Sequence, residues 1–148
     1  MIPFKKYLDP SLVLFSDLNS RDEVLHALTD LAQKQGKITD QKTFYDAVLS
    51  REKIVTTGIG MGVAIPHAKL TDCPHFFIAV AVLKKGVAWN SLDGSPVRMV
   101  FLIGGPDDKQ TEYLKLLSSL THALKGEATR KQLLQAETPE EVCHHLGV

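Results

Sequence analysis

A three-layer α/β sandwich, with a mixed, mostly parallel sheet covered by helices on both faces, is the fold this sequence predicts. Amphipathic helical patterns stand at both ends of the chain, and two runs between them, Phe76–Leu83 and Val97–Ile103, are apolar at nearly every position. A strand with no polar alternation is buried on both faces, so helices must cover both sides of its sheet. The third observation is size. With 148 residues and 16.3 kDa, residues 1–148 fit one domain, which can bury about two-thirds of its unfolded surface without staples.

The first helix opens at Ser20, where Ser20-Arg-Asp-Glu23 reads as a capping box. Val24, Leu25, Leu28, Leu31 and Ala32 follow at helical spacing, and Gly36 ends the run. Thr39 or Asp40 caps a second helix with the stripe Phe44, Val48 and Leu49, predicted to end near Glu52. Thr56–Lys69 carries glycine at positions 58, 60 and 62 and then Pro66, a pattern that excludes helix and reads as loop or twisted extended chain. After the buried Phe76–Leu83 run come a brief Gly86–Trp89 strand, a turn at Leu92–Pro96 and the second buried strand. Tyr113, Leu116, Leu117, Leu120 and Leu124 form one helical stripe, and a short helix follows near Ala128–Leu134. Thr138-Pro-Glu-Glu141 then supplies a cap, an N1 proline and an acidic first turn for the last helix. No linker, repeat or low-complexity tract interrupts the chain.

Composition excludes several classes. Lys plus Arg and Asp plus Glu both number 17, so no global basic field asks for nucleic acid or an anionic membrane. Hydrophobic residues at 44% and charged residues at 23% are ordinary for a globular protein and exclude wholesale disorder. Pro3 and Asp9 break the apolar run a signal peptide needs, and the longest apolar stretch is far short of a membrane span. Two cysteines, Cys73 and Cys143, suit a reducing compartment, so the expected location is the cytoplasm. Cys73-Pro-His75 has no zinc spacing and no fourth ligand follows, so no metal and no cofactor are expected.

The densest chemistry is in Thr57-Gly-Ile-Gly-Met-Gly-Val-Ala-Ile-Pro-His67. The glycine spacing fits neither the dinucleotide fingerprint nor the P-loop, but amides near Gly60 and Gly62 could approach a phosphate. His67, after a strand-like Val-Ala-Ile and a proline, could act as a nucleophile through its neutral imidazole, although from the residues alone a hydrogen-bonded structural histidine outweighs that reading. The other histidines carry blander readings: His26 at a helix interface, His122 on a solvated face with Lys115 and Ser118, and His144-His145 at a helix end. Trp89 and the Phe76–Phe77 pair read as core, and Asp93-Gly94 as turn chemistry.

Arg51-Glu52, followed by Thr57–Lys69 and then by Leu92-Asp-Gly-Ser-Pro-Val97 ahead of an apolar strand, resembles the enzyme IIA domains of the fructose/mannitol family. These belong to the phosphoenolpyruvate-dependent sugar phosphotransferase system. The likeness covers essentially the whole chain and, lacking an attached sugar or membrane part, looks closest to the nitrogen-regulatory branch. The resemblance implies that His67 accepts a phosphoryl group from an HPr-type carrier protein and passes it to a IIB partner. The alternative is a regulatory binding module whose target proteins read the phosphorylation state of His67. Arg51 and the amides at Gly60 and Gly62 would then stabilise the phosphoryl group. The family usually carries a second active-site histidine near the start of the helix after Gly104-Gly-Pro106, and here Tyr113 holds that place. His122 cannot substitute, being half a turn out of phase and about 13 Å further along the helix.

Overall fold

The computed structural model describes residues 5–71 and 73–147; the signal-peptide argument from Pro3 lies outside them. Among the described residues six strands form one sheet: β1 (Val13–Ser16), β2 (Gly58–Gly60), β3 (Val63–Ala64), β4 (His67–Leu70), β5 (Phe77–Val87) and β6 (Val97–Pro106). Its order is β1-β5-β6-β3-β2, with β4 continuing beyond β3 along the same side of β6. Among the described residues the β1–β5, β3–β6 and β4–β6 pairings are parallel, and β5–β6 and β2–β3 are antiparallel. The sheet is therefore mixed and mostly parallel, as expected.

The α-helices among the described residues are α1 (Arg21–Lys34), α2 (Gln41–Ile54), α3 (Gln110–Lys125), α4 (Glu127–Gln135) and α5 (Pro139–His145). The caps are those the sequence proposes. Ser20 accepts the Glu23 amide at 3.2 Å, Asp40 rather than Thr39 accepts that of Thr43, and Thr138 that of Glu141. Gly36 stops α1 in the left-handed region at φ +73°. No helix among the described residues is long and apolar enough to cross a membrane.

Alternation along β5 and β6 divides the core into two layers. Ile78, Val80, Val82, Met99, Phe101 and Ile103 pack beneath α3, α4 and α5. Phe77, Ala79, Ala81, Leu83, Val100 and Leu102 pack beneath α1 and α2. This is the physical content of the continuous apolar runs: odd and even positions each need a dry partner.

Four details differ from the sequence reading. β1 was not expected; Val13–Ser16 is short, and its strand character comes from parallel pairing with β5. Gly86–Trp89 is not a separate strand. β5 runs on through Lys84-Lys85-Gly86 to Val87, with an irregular register between Val82 and Val87, and Trp89 lies beyond it. β6 extends past Ile103 through Gly104-Gly105-Pro106 because β4 pairs with it there. In the helices, Thr29 takes the buried place expected of Leu31, its hydroxyl bonded to the Leu25 carbonyl, and α2 continues two residues past Glu52.

The glycines of β6 let aromatic rings close over the sheet. A Cβ on Gly104 would stand 2.5 Å from Phe77 Cζ and 2.8 Å from Phe44 Cζ. Gly104→Ala is expected to cost about 1–3 kcal/mol of stability by overpacking, read as a lower urea midpoint at unchanged slope.

Candidate phosphoryl-acceptor site

His67 opens β4 opposite Ile103, immediately after Pro66. Proline brings no N–H to the ladder, but its carbonyl accepts the Ile103 amide at 2.9 Å, so the chain stays docked on β6 through the break between β3 and β4. The Ile65 amide donates to the Thr57 carbonyl at 3.0 Å, and the Ile65 carbonyl faces the His67 ring, 3.3 Å from Nδ1. A carbonyl can only accept, so Nδ1 carries the proton in this contact and the Nε2 lone pair is left free in the neutral ring.

Burial is the main reason the His67 pKa falls below its ordinary value of 6.5, and the charges of Arg51 and Lys69 act in the same direction. The Ile65 carbonyl and Glu52 oppose them. The outcome is a neutral imidazole held near two cations. Arg51, on the last turn of α2, donates from Nη1 to the Val55 carbonyl at 2.8 Å. Among the described residues neither Arg51 nor Lys69 has a carboxylate within ion-pair distance, so both charges stand uncompensated around the ring.

Tyr113, on the first turns of α3, meets His67 with ring centroids 5.4 Å apart and Phe76 at 6.3 Å. It is 5% exposed, and burial pushes its phenol up to about 12, so its hydroxyl is neutral at any physiological pH. The ring therefore faces His67, where the resemblance places a second histidine, and belongs to the apolar layer as well.

Gly60 and Gly62 are not brought to His67. They flank a tight hairpin turn in which Met61 and Gly62 have φ of +60° and +76°, the left-handed pair that a type I′ turn requires. The Met61 amide is already bonded to Asp93 at 3.0 Å. Hydrogen bonds from Ser95 and Met61 hold that carboxyl down at about 2. β3 meets Met99 through Val63 and β4 meets Ile103 through His67, which places the turn about 13 Å along the sheet from the histidine. Asp93 is thus more than turn chemistry: it fastens the hairpin.

Two residues given no role by the sequence reading matter here. Glu52, 4% exposed, accepts from the Thr57 amide and hydroxyl, both at 2.5 Å, and from Trp89 Nε1 at 2.9 Å. It locks the end of α2, which carries Arg51, to the start of the hairpin that leads to His67. A buried tryptophan whose N–H needs an acceptor was the available signal. Lys69 lies two residues from His67 on the same strand and so on the same face, a relation visible once β4 is recognised.

His122 is exposed, and His26 meets Tyr45 edge-on at 5.3 Å between α1 and α2. The Cys73 thiol donates to the Lys37 and His75 carbonyls. Among the described residues no group of three or more His, Cys, Asp or Glu side chains is arranged to hold a metal.

A half-buried neutral histidine near two cations without carboxylate partners, on a sheet covered on both faces, is an arrangement suited to meeting an anion. Residues 6–147 match the family model of the phosphoenolpyruvate-dependent sugar phosphotransferase system, EIIA 2, and the chain belongs to that family. It is 38% identical over 122 residues to the fructose-specific EIIABC component of Bacillus subtilis, covering 82% of this chain and 19% of that protein's length. The nitrogen regulatory protein IIA-Ntr of Neisseria meningitidis superposes with a TM-score of 0.90 at 25% identity, over 95% of this chain and 97% of that one. The mannitol enzyme IIA of Escherichia coli, solved in complex with phosphorylated enzyme IIB, matches with a TM-score of 0.78 at 20% identity, over 94% and 96%.

Two outcomes check this geometry. The His67 ring should titrate by NMR with a midpoint below 6.5, its lone pair remaining available as pH falls through neutrality. Glu52→Ala should cost about 1–3 kcal/mol in urea unfolding, because the Trp89 and Thr57 donors are left buried without an acceptor.

Proposed function

We propose that this chain acts as one phosphocarrier unit of the phosphotransferase system, residues 1–148, in the cytoplasm. His67 takes a phosphoryl group from an HPr-type carrier and passes it to a IIB partner. The observation that carries this reading is the free Nε2 lone pair of a neutral ring, anchored through Nδ1 to Ile65 and within the electrostatic reach of Arg51. Phosphoryl transfer between imidazoles passes through a loose transition state with charge on the equatorial oxygens, so it asks for positioning and cations more than for a base.

The step balances without a proton transfer. Nε2 spends its lone pair on the new N–P bond, while the N–P bond of the donor's phosphoimidazolium breaks and its electron pair stays on a neutral donor ring. Nδ1–H remains on the Ile65 carbonyl, and His67 becomes the phosphoimidazolium, whose positive ring strengthens that hydrogen bond. In this reading Arg51 meets the oxygens, its guanidinium being suited to bidentate contact.

A regulatory reading is supported by the fit to IIA-Ntr, whose TM-score of 0.90 exceeds the 0.81 of the mannitol enzyme IIA at the same 95% coverage of this chain. In that role a target protein reads about two added negative charges at His67, which are enough to create or destroy an interface.

Incubation with enzyme I, an HPr-type carrier and labelled phosphoenolpyruvate should place one acid-labile, alkali-stable label on the protein. His67→Ala should abolish it, and equal labelling of that variant would overturn the assignment. Tyr113→His, which offers a cation in place of a neutral hydroxyl, should raise the phosphorylated fraction at a fixed donor ratio by up to about tenfold. Tyr113→Phe should lower it modestly.

A further inference from the structure

Tyr113 cannot supply positive charge to a phosphoryl group, and the Gly60–Gly62 amides are too far away. A dianion on Nε2 would then have Arg51 alone, unless another cation reaches it. Lys69 is the group in position. Its Nζ stands 4.9 Å from the Tyr113 ring centroid, and the same ring lies 5.4 Å from that of His67. Tyr113 is therefore in contact with both side chains. Lys69 also donates to Gln110 Oε1 on the first turn of α3.

Neither contact is a committed partner for an ammonium. A ring face and a neutral amide at an exposed position leave the positive charge of the ammonium uncancelled. A lysine stem with four rotatable bonds swings across several ångströms, and β-strand geometry already puts Lys69 and His67 on one face of β4. The charge of Lys69 is felt at the His67 ring even at rest.

We propose that Lys69 is the second cation of the phosphoryl site. It rests on Tyr113 and Gln110 while His67 is unmodified, and it moves onto the phosphoryl oxygens once Nε2 carries them. Tyr113 then serves as the perch that keeps the ammonium beside the histidine without neutralising it. A carboxylate in its place would hold Lys69 too firmly, and a smaller side chain would let it drift into solvent. This inference rests on His67 as the phosphoryl acceptor but not on which protein delivers the group.

The experiment uses phosphoramidate to phosphorylate His67 chemically, in parallel with the enzymatic donor, on the wild-type chain, Lys69→Gln and Lys69→Arg. The phosphohistidine of Lys69→Gln should hydrolyse about tenfold faster than that of wild type, the scale of one lost charge-assisted hydrogen bond, and Lys69→Arg should restore most of the lifetime. Phosphorylation of wild type should also release the Lys69 ε-methylene protons from the ring-current shift they feel over Tyr113. Equal lifetimes in wild type and Lys69→Gln, or ε-protons that stay shifted after phosphorylation, would overturn the role of Lys69. A difference in lifetime after phosphoramidate, with no labelling by the enzymatic donor, would instead sustain Lys69 and defeat the carrier reading.

Discussion

The site hangs on one buried carboxylate. Glu52 ends a helix, and its oxygens are spent on the first hydrogen-bond donors of the glycine-rich segment and on the indole of Trp89. Removing a charge from water is costly unless donors replace the lost hydration, and here three donors from two other segments do so. The cost of leaving any of them unpaired keeps α2, the hairpin and the turn after β5 in one arrangement. Arg51 inherits its position from that arrangement, being the adjacent residue, and His67 inherits its own from the hairpin strand that returns past Thr57.

What the joint produces is an asymmetry of charge. Glu52 is consumed by neutral donors, so it does not bind the neighbouring cations, while Arg51 and Lys69 face the same half-buried ring without a carboxylate of their own among the described residues. A basic group is thereby kept unprotonated close to two positive charges, an arrangement that favours an incoming anion. Phe76, Tyr113 and His67 form an aromatic row beside it, and the Phe76 ring closes over Gly105 of β6. Tyr113 meets His67 and also packs on Phe76, so a substitution there acts on both contacts.

Much of this was legible in the sequence. The helices announced themselves through Ser20, Asp40 and Thr138 as caps, and the two-faced strands through unbroken apolar runs, because both signals are local. β1 was not legible, since four residues become a strand only by pairing with a strand more than sixty positions away. His67, Arg51 and Tyr113 were found through the motif and its likeness to a family, and they do lie together. Gly60 and Gly62 lie away from His67 for a physical reason: glycine spacing signals close approach or a left-handed backbone, and here Gly60 meets the Asp93 side chain while Gly62 completes the turn at φ +76°. The roles of Glu52 and Lys69 needed coordinates, because a buried acceptor and a perched ammonium depend on partners from distant segments.

The bond from Nδ1 of His67 to its own backbone at Ile65 has one more consequence. In the proposed transfer, a ring whose exchangeable hydrogen stays on the same carbonyl before and after reaction has no hydrogen in flight as the phosphorus changes hands. The chemical step should therefore run at the same speed in heavy water as in light, once viscosity is matched. A deuterium effect on the overall rate would then belong to docking of the two proteins or to rearrangement of lysine and arginine, and its size would report how far those solvated cations move.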